Sequence, residues 1–305
     1  MNLHAPLTSL GCPLPTDESS FDWCLSSTDV INSPLLFRER LDRDGYLYLP
    51  GVLDESLVNA ARRILLEQLD QLGLVDESAA VSEGRAAVPW QNQSCHHLAN
   101  ANPPLHRALY AGVMMELYQQ LFATPVKHFD FTWLRVIGPG QGTAPHCDSV
   151  YMGRGTSRLF TSWTPLMEIT PDIGGLILMP ESHHLASLDS YRAADVDTIC
   201  TNLPQPEPKD VHGWVGPIGD GKLTNNPVEL QRRLELPWVT SERYQPGDVV
   251  IFNIATVHGS LDNQTDRIRL SCDSRYQSAT APTDERWVGA NPVGHGQQSR
   301  KGIIC

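Results

Sequence analysis

The stretch QPGDVVIFNIATVHGSLDNQTDRIRLSCDSRYQ, residues 245–277, holds two strands of different character. Gln245-Pro246-Gly247-Asp248 reads as a turn that launches an apolar strand over Asp248 to Ile254. The run then turns small and polar and delivers His258 at its tip. The second strand, Ile268 to Gln277, alternates. Arg267, Arg269, Ser271, Asp273, Arg275 and Gln277 fall on one face, with Ile268, Leu270, Cys272 and Tyr276 mostly on the other. Charged residues are mostly exposed, so a surface strand is the ordinary reading of that pattern. The nearby His258 favours the opposite one, in which the polar face points into the mouth of a barrel.

Outward from these strands, β signals dominate after residue 125: Val126 to Ile137, Arg158 to Leu166 and Gly175 to Met179, punctuated by Gly-Pro-Gly and Gly-Gly turns. Before them the chain is mostly helical. A short strand, Tyr46 to Leu49, leads into a helix from an N-cap at Asp54 to a stop at Gly73, with Leu57, Ala61, Ile64, Leu65, Leu69 and Leu72 on one face. A second helix follows Pro103-Pro104, with Leu105, Leu109, Val113, Leu117 and Leu121 spaced by fours down to Phe122. These signals predict a mainly β chain with flanking helices, its core a barrel or sandwich of jelly-roll type. The economical organisation is one domain over 1–305, with a helical part about 1–125 and a core about 126–280. An insertion about 186–240 contains a stretch dense in Pro and Gly, Leu203 to Gly221.

Composition narrows the function. The 305 residues carry a formal charge of −12, which argues against a nucleic-acid partner or an anionic membrane surface. No apolar run approaches the roughly 18 residues of a membrane span. Seven cysteines form an odd set without a CxxC pair, and no export signal is visible, so a reducing cytoplasm is the expected setting. HExxH, Gly-x-Ser-x-Gly, GxGxxG and P-loop signatures are absent, which removes the common hydrolase, dehydrogenase and nucleotide-binding classes.

His146 and Asp148 lie two apart, so in extended backbone they share a face and can reach one metal ion. The alternation turns Cys147, between them, away from that ion. A lone HxD is weak evidence. With His258 the set becomes two histidines and one carboxylate, the facial triad of non-haem Fe(II), which leaves three positions open for a bidentate co-substrate and dioxygen. His183 and His184 follow a Pro-Glu-Ser turn, and His96, His97, His106, His128 and His212 have no partner at ligand spacing. Structural roles are expected for all of them.

Taken in order, His146-Cys147-Asp148, Trp163-Thr164-Pro165-Leu166, Gly174-Gly175-Leu176, Pro180-Glu181-Ser182-His183, Pro246-Gly247-Asp248, His258-Gly259-Ser260 and Arg269 resemble the phytanoyl-CoA dioxygenase family of Fe(II)- and 2-oxoglutarate-dependent oxygenases. The resemblance covers about residues 35 to 277 and rests on the joint spacing. It implies a double-stranded β-helix (jelly-roll, cupin-like) core, with Fe(II) held by His146, Asp148 and His258. It further implies 2-oxoglutarate and O2 as co-substrates, and hydroxylation of an unactivated carbon of a small molecule with release of succinate and CO2. In such enzymes an arginine some ten residues past the distal histidine holds the far carboxylate of 2-oxoglutarate. Arg267 and Arg269 share the face, and the spacing from His258 favours Arg269.

By the same resemblance Ser260 and Trp163 line the 2-oxoglutarate pocket. Related halogenases have a small residue in place of the carboxylate, so Asp148 favours hydroxylation. Two segments are expected to close over the site: Gly84 to Asn100, with Trp90, Gln91, Gln93 and His97, and the 186–240 insertion. Arg275, on the inward face, would bind a polar or anionic substrate. Two other readings stand beside this one: a cupin-type metal enzyme not using 2-oxoglutarate, and a catalytically silent binding protein on the same fold.

Overall fold

The computed structural model describes residues 6–199 and 221–295; the stretch 203–220, with His212, lies outside them. A small N-terminal hairpin, β1 (Thr8–Ser9) and β2 (Cys12–Pro13), precedes β3 (Phe21–Trp23). Then come α1 (Pro34–Asp44), β4 (Tyr46–Leu49) and α2 (Glu55–Gln71). Asp54 caps α2 as its sequence predicts, accepting from the Ser56 amide at 2.8 Å, and the helix buries Val58, Ala61, Leu65, Leu66 and Leu69.

The helix expected over residues 103–122 is two, α3 (Pro103–Tyr110) and α4 (Val113–Phe122). Ala111 is extended and Gly112 takes a φ of 53°, a left-handed conformation that suits glycine. Spacing by fours runs through the break unchanged, so the pattern could not reveal it. Val113, counted in the apolar stripe, is 43% exposed. The strand expected over Val126 to Ile137 is likewise two, β5 (Val126–His128) and β6 (Trp133–Ile137). Between them the Asp130 amide donates to the Trp287 carbonyl at 2.9 Å, so the chain leaves the ladder to receive a C-terminal segment.

A short helix α5 (Ser149–Met152) leads to β7 (Phe160–Pro165) and β8 (Leu176–Leu178). Helices α6 (Asp189–Arg192), α7 (Val196–Ile199) and α8 (Pro227–Leu234) precede β9 (Trp238–Thr240), β10 (Val249–Asn253), β11 (His258–Ser260) and β12 (Arg269–Ser278). The large sheet has the order β4-β10-β7-β12-β5, with β6 also paired to β12, and the small one the order β11-β8-β9-β3. This is a jelly-roll core with flanking helices. Both sheets recruit strands from before residue 125: β4 pairs with β10, and β3 with β9.

Apolar residues of both sheets, among them Trp163, Leu166, Leu178, Val239, Val249 and Leu270, join those of α2, α3 and α4 in one buried cluster. Strand β12 is the central element, antiparallel to β5, β6 and β7. Its residues Leu270, Cys272 and Tyr276 belong to that cluster, and Arg269, Asp273 and Arg275 face the other way, as the alternation predicts.

Past β12 the chain folds back. Buried Arg286 donates through Nε and Nη2 to the Asp284 carboxylate at 2.9 and 2.6 Å, through Nη1 to Asp197 at 2.7 Å, and through Nη2 to the Tyr151 carbonyl at 2.7 Å. One guanidinium therefore ties three segments together.

His96 lies 4.5 Å, ring to ring, from Trp133, and burial, with the Arg135 charge nearby, pushes its pKa from 6.5 down to about 4. The unfolded chain thus binds a proton below about pH 6.5 that the folded chain refuses until about pH 4. Its contribution to stability is full above that window and is lost as pH falls through it. A His96→Leu variant is expected to unfold at lower pH than wild type in an acid titration followed by circular dichroism.

Candidate metal centre

Strand β11 brings His258 against His146 as a backbone pair: the His146 amide donates to the His258 carbonyl at 2.9 Å, and the return bond is 3.0 Å. This main-chain ladder sets the two imidazoles 4.2 Å apart, centroid to centroid. The Nδ1 of His146 lies 2.8 Å from the Ala144 carbonyl and that of His258 3.0 Å from the Thr256 carbonyl. A carbonyl only accepts, so both Nδ1 atoms carry the proton and both Nε2 lone pairs are bare. Oδ1 of Asp148 lies 3.7 Å from each Nε2. All three residues are buried, and their ligand atoms lie within 4.8 Å of one another.

Asp148 divides its two oxygens. Oδ2 accepts from the Thr161 hydroxyl at 2.5 Å and from Arg275 Nη2 at 3.0 Å, leaving Oδ1 to face the histidines. Burial alone would raise the Asp148 pKa, but the Arg275 charge and the His146 and His258 contacts hold it well below the usual carboxylate range. Burial pushes His258 down to about 3, so it is neutral at pH 7. Two imidazole Nε2 atoms and one ionised oxygen form a donor set that fits a divalent iron.

Removing the Thr161 donor with the near-isosteric Thr161→Val is expected to weaken Fe(II) or Co(II) binding by about 10–100-fold in an anaerobic titration, the usual cost of losing such an outer partner. Unchanged affinity would mean that the Thr161 bond does not orient the ligand.

Two spaces flank the triad. A narrow slot is lined by His258, Gly259, Ser260, Trp163, Thr143, Arg135, Asp273 and Arg269. A larger cavity of about 220 Å³ is lined by His146, Asp148, Arg275, Trp133, Tyr151 and His295 among others. Arg269 is 1% exposed, and its Nη1 donates to the Gly174 carbonyl while Nε is buried without a partner. No carboxylate lies within ion-pair distance of it among the described residues. Burial, with repulsion from Arg135, lowers its pKa to about 9. An unpaired buried guanidinium is a ready partner for a carboxylate, and 2-oxoglutarate carries one at its far end.

The sequence-predicted residues His146, Asp148, His258, Ser260, Trp163 and Arg269 therefore come together around one point. Arg267 does not: it bridges to Arg85 at the end of the strand, and its Nε donates to the Glu83 carbonyl. Ser260 spends its hydroxyl accepting from the Thr143 amide at 2.8 Å. Cys147 faces away from the triad into an apolar cluster, and burial raises its thiol pKa to about 12.

The segment 84–100 does not line the metal cavity. Trp90 packs on Gly138 and donates to Gln141, while Asn92 to His96 line a separate hollow beside β6. Of the insertion, the described Lys222 lines the cavity.

Sequence reasoning passes over Thr161, Arg135, Tyr151 and His295. Thr161 shares the inward parity of Trp163 on β7, a usable signal. His295 lies beyond the last recognisable strand, where no periodicity points anywhere.

Residues 41–271 match the phytanoyl-CoA dioxygenase family. A 1-deoxypentalenic acid 11-beta-hydroxylase of Streptomyces exfoliatus is 25% identical over 268 residues, covering 82% of this chain and 84% of the relative. The structure of the epimerase SnoN from nogalamycin biosynthesis, in complex with Fe3+, α-ketoglutarate and nogalamycin RO, is similar with a TM-score of 0.54 and 21% identity over 90% of this chain and 96% of that one. EctD from S. alaskensis in its apoform has a TM-score of 0.54 and 18% identity, over 96% and 92%. At such identities the two structures speak for the fold. The chain belongs to the phytanoyl-CoA dioxygenase family of iron(II)- and 2-oxoglutarate-dependent oxygenases.

Proposed function

We propose that His146 and His258 hold Fe(II) through Nε2 and Asp148 holds it through Oδ1, that Arg269 anchors 2-oxoglutarate, and that the enzyme hydroxylates an unactivated carbon of a small molecule. The observation that carries this reading is Arg269, buried and without a carboxylate at ion-pair distance among the described residues, in the slot that His258 also lines. Fe(II) with 2-oxoglutarate and O2 supplies an oxidant for unreactive C–H bonds, with release of succinate and CO2. The protein's part is geometric. Thr161 and Arg275 fix Asp148 as a one-oxygen ligand, Trp163 and Ser260 wall the slot, and burial keeps water out. The hydroxylase relative from Streptomyces exfoliatus supports hydroxylation over other outcomes.

The substrate is a small molecule, and Arg275 supports a polar or anionic one: its Nε and Nη1 are buried without partners beside the cavity. The chain works as one oxygenase domain, 1–305. A cytoplasmic setting is supported by Cys12, Cys24, Cys95, Cys147 and Cys272, all free. No described helix is long and apolar enough to cross a membrane.

The test is anaerobic titration with Fe(II) and then 2-oxoglutarate, read by the visible charge-transfer band of a chelated keto acid. A band supports the reading; iron-loaded, folded protein without one favours the cupin-type or silent alternative.

A further inference from the structure

The C-terminal segment from Asp284 to His295 lies outside the residues that match the family, yet it builds a wall of the metal cavity. Trp287, 1% exposed, packs with Phe129, Met152, Leu159 and Ile254. Arg286 fastens the segment to Asp197 and to the Tyr151 carbonyl. So anchored, the strap sets the His295 ring 5.7 Å from Trp133 at an interplanar angle of 11°, and 5.3 Å from Tyr151. Those three rings line the cavity that His146 and Asp148 open into. Nδ1 of His295 is buried and has no partner, and burial lowers the ring's pKa, so a neutral imidazole stands there with an unused polar atom. Buried polar atoms in folded proteins are nearly always paired, so an unpaired one beside a cavity points to a ligand.

Charge identifies that ligand further. Arg135, Arg269 and Arg275 stand against two carboxylates, Asp148 and Asp273, which leaves one positive charge. Fe(II) and dianionic 2-oxoglutarate cancel, so the loaded site keeps it. Buried charge without a counterion is costly. The cavity, at about 220 Å³, is also smaller than the roughly 300–1,000 Å³ of drug-sized sites.

We propose that the C-terminal strap is the specificity wall of the enzyme, and that its substrate is a compact, apolar-bodied monocarboxylate. The body packs on Trp133, Tyr151 and His295, and His295 Nδ1 donates to the carboxylate. This deepens the iron and 2-oxoglutarate reading and rests on it.

The probe is adamantane-1-carboxylate, a rigid hydrocarbon cage with one carboxylate. It is added anaerobically to full-length enzyme loaded with Fe(II) and 2-oxoglutarate, and its binding is read as a shift of the charge-transfer band. Wild type is expected to show a saturable shift. His295→Ala binds the probe at least about tenfold more weakly, the expected cost of a lost charge-assisted hydrogen bond. His295→Asn, whose amide places a donor near the position of Nδ1, recovers most of that loss, which a merely structural role would not allow. The neutral adamantane-1-carboxamide binds wild type at least about tenfold more weakly than the acid. The band before probe addition is the same in all three proteins.

Equal affinity of wild type and His295→Ala, equal affinity of acid and amide, or no response of the wild-type band to the probe overturns the proposal and leaves the cofactor reading standing. A wild-type protein that forms no band with 2-oxoglutarate overturns both.

Discussion

His258→Ala protein is expected to fold and to bind no stoichiometric iron. The position of His258 comes from its backbone, which pairs with His146 in both directions, and alanine keeps that ladder. What is lost is one of two ring nitrogens facing Asp148 Oδ1. The remaining histidine and carboxylate make a two-point site, so affinity falls by more than the roughly 100-fold that bounds the loss of an outer partner. Anaerobic Co(II) or Fe(II) titration measures this directly, and the 2-oxoglutarate band disappears with the metal. The variant is also expected to gain resistance to mild acid. His258 is kept neutral by burial down to about pH 3, so the unfolded chain alone is protonated between there and about 6.5. Full iron occupancy in this variant would refute the triad.

Arg269→Ala separates the co-substrate from the metal. Iron binding is expected to survive, since Arg269 touches none of the three ligands, while 2-oxoglutarate affinity falls by roughly 10²- to 4 × 10³-fold. That estimate follows from the roughly 3–5 kcal/mol lost when one partner of a buried ion pair is removed. The variant has a second signature. In the protein without co-substrate the guanidinium is buried and has no carboxylate at ion-pair distance among the described residues, with its Nε unsatisfied. Truncating it removes a cost as well as packing, so thermal stability should not drop as it does when a paired group is cut. Isothermal titration with 2-oxoglutarate and a melting curve report the two effects independently. Retained turnover with undiminished co-substrate affinity would instead favour a cupin-type enzyme that does without 2-oxoglutarate.

The site was legible in the sequence where backbone periodicity carries information. Two residues apart in extended chain means one face, which holds for Arg269 with Asp273 and Arg275; His146 and Asp148 meet although Asp148 takes helical backbone at the start of α5, so there the rule found the right pair for an incomplete reason. Of the two candidate arginines, Arg269 lines a buried slot and Arg267 leaves the sheet toward Glu83. Long segments carried less. A twofold or fourfold apolar spacing is blind to a two-residue break, so the 103–122 helix hid the turn at Gly112.

The loop 84–100 was expected over the site because its length and polar residues suit a lid. Its tryptophan instead fills the space above Gly138, where a Cβ would clash with the indole. The strap carrying His295 had no signal at all. Its placement depends on Arg286 meeting Asp197, 89 residues earlier, a contact no local pattern encodes.

Strand β12 acts as a measuring rod. Arg269 lines the slot and Arg275 the larger cavity, six residues apart on one face, so about 20 Å of strand separates their backbone positions. The rod has three neighbours reading it, β5, β6 and β7. A single residue inserted at Leu270 would rotate every later side chain by half a turn, driving Asp273 and Arg275 into the apolar layer where Tyr276 stacks on Tyr118 at 4.0 Å. A change in the number of residues in this strand therefore disturbs the site more than the exchange of one residue for another.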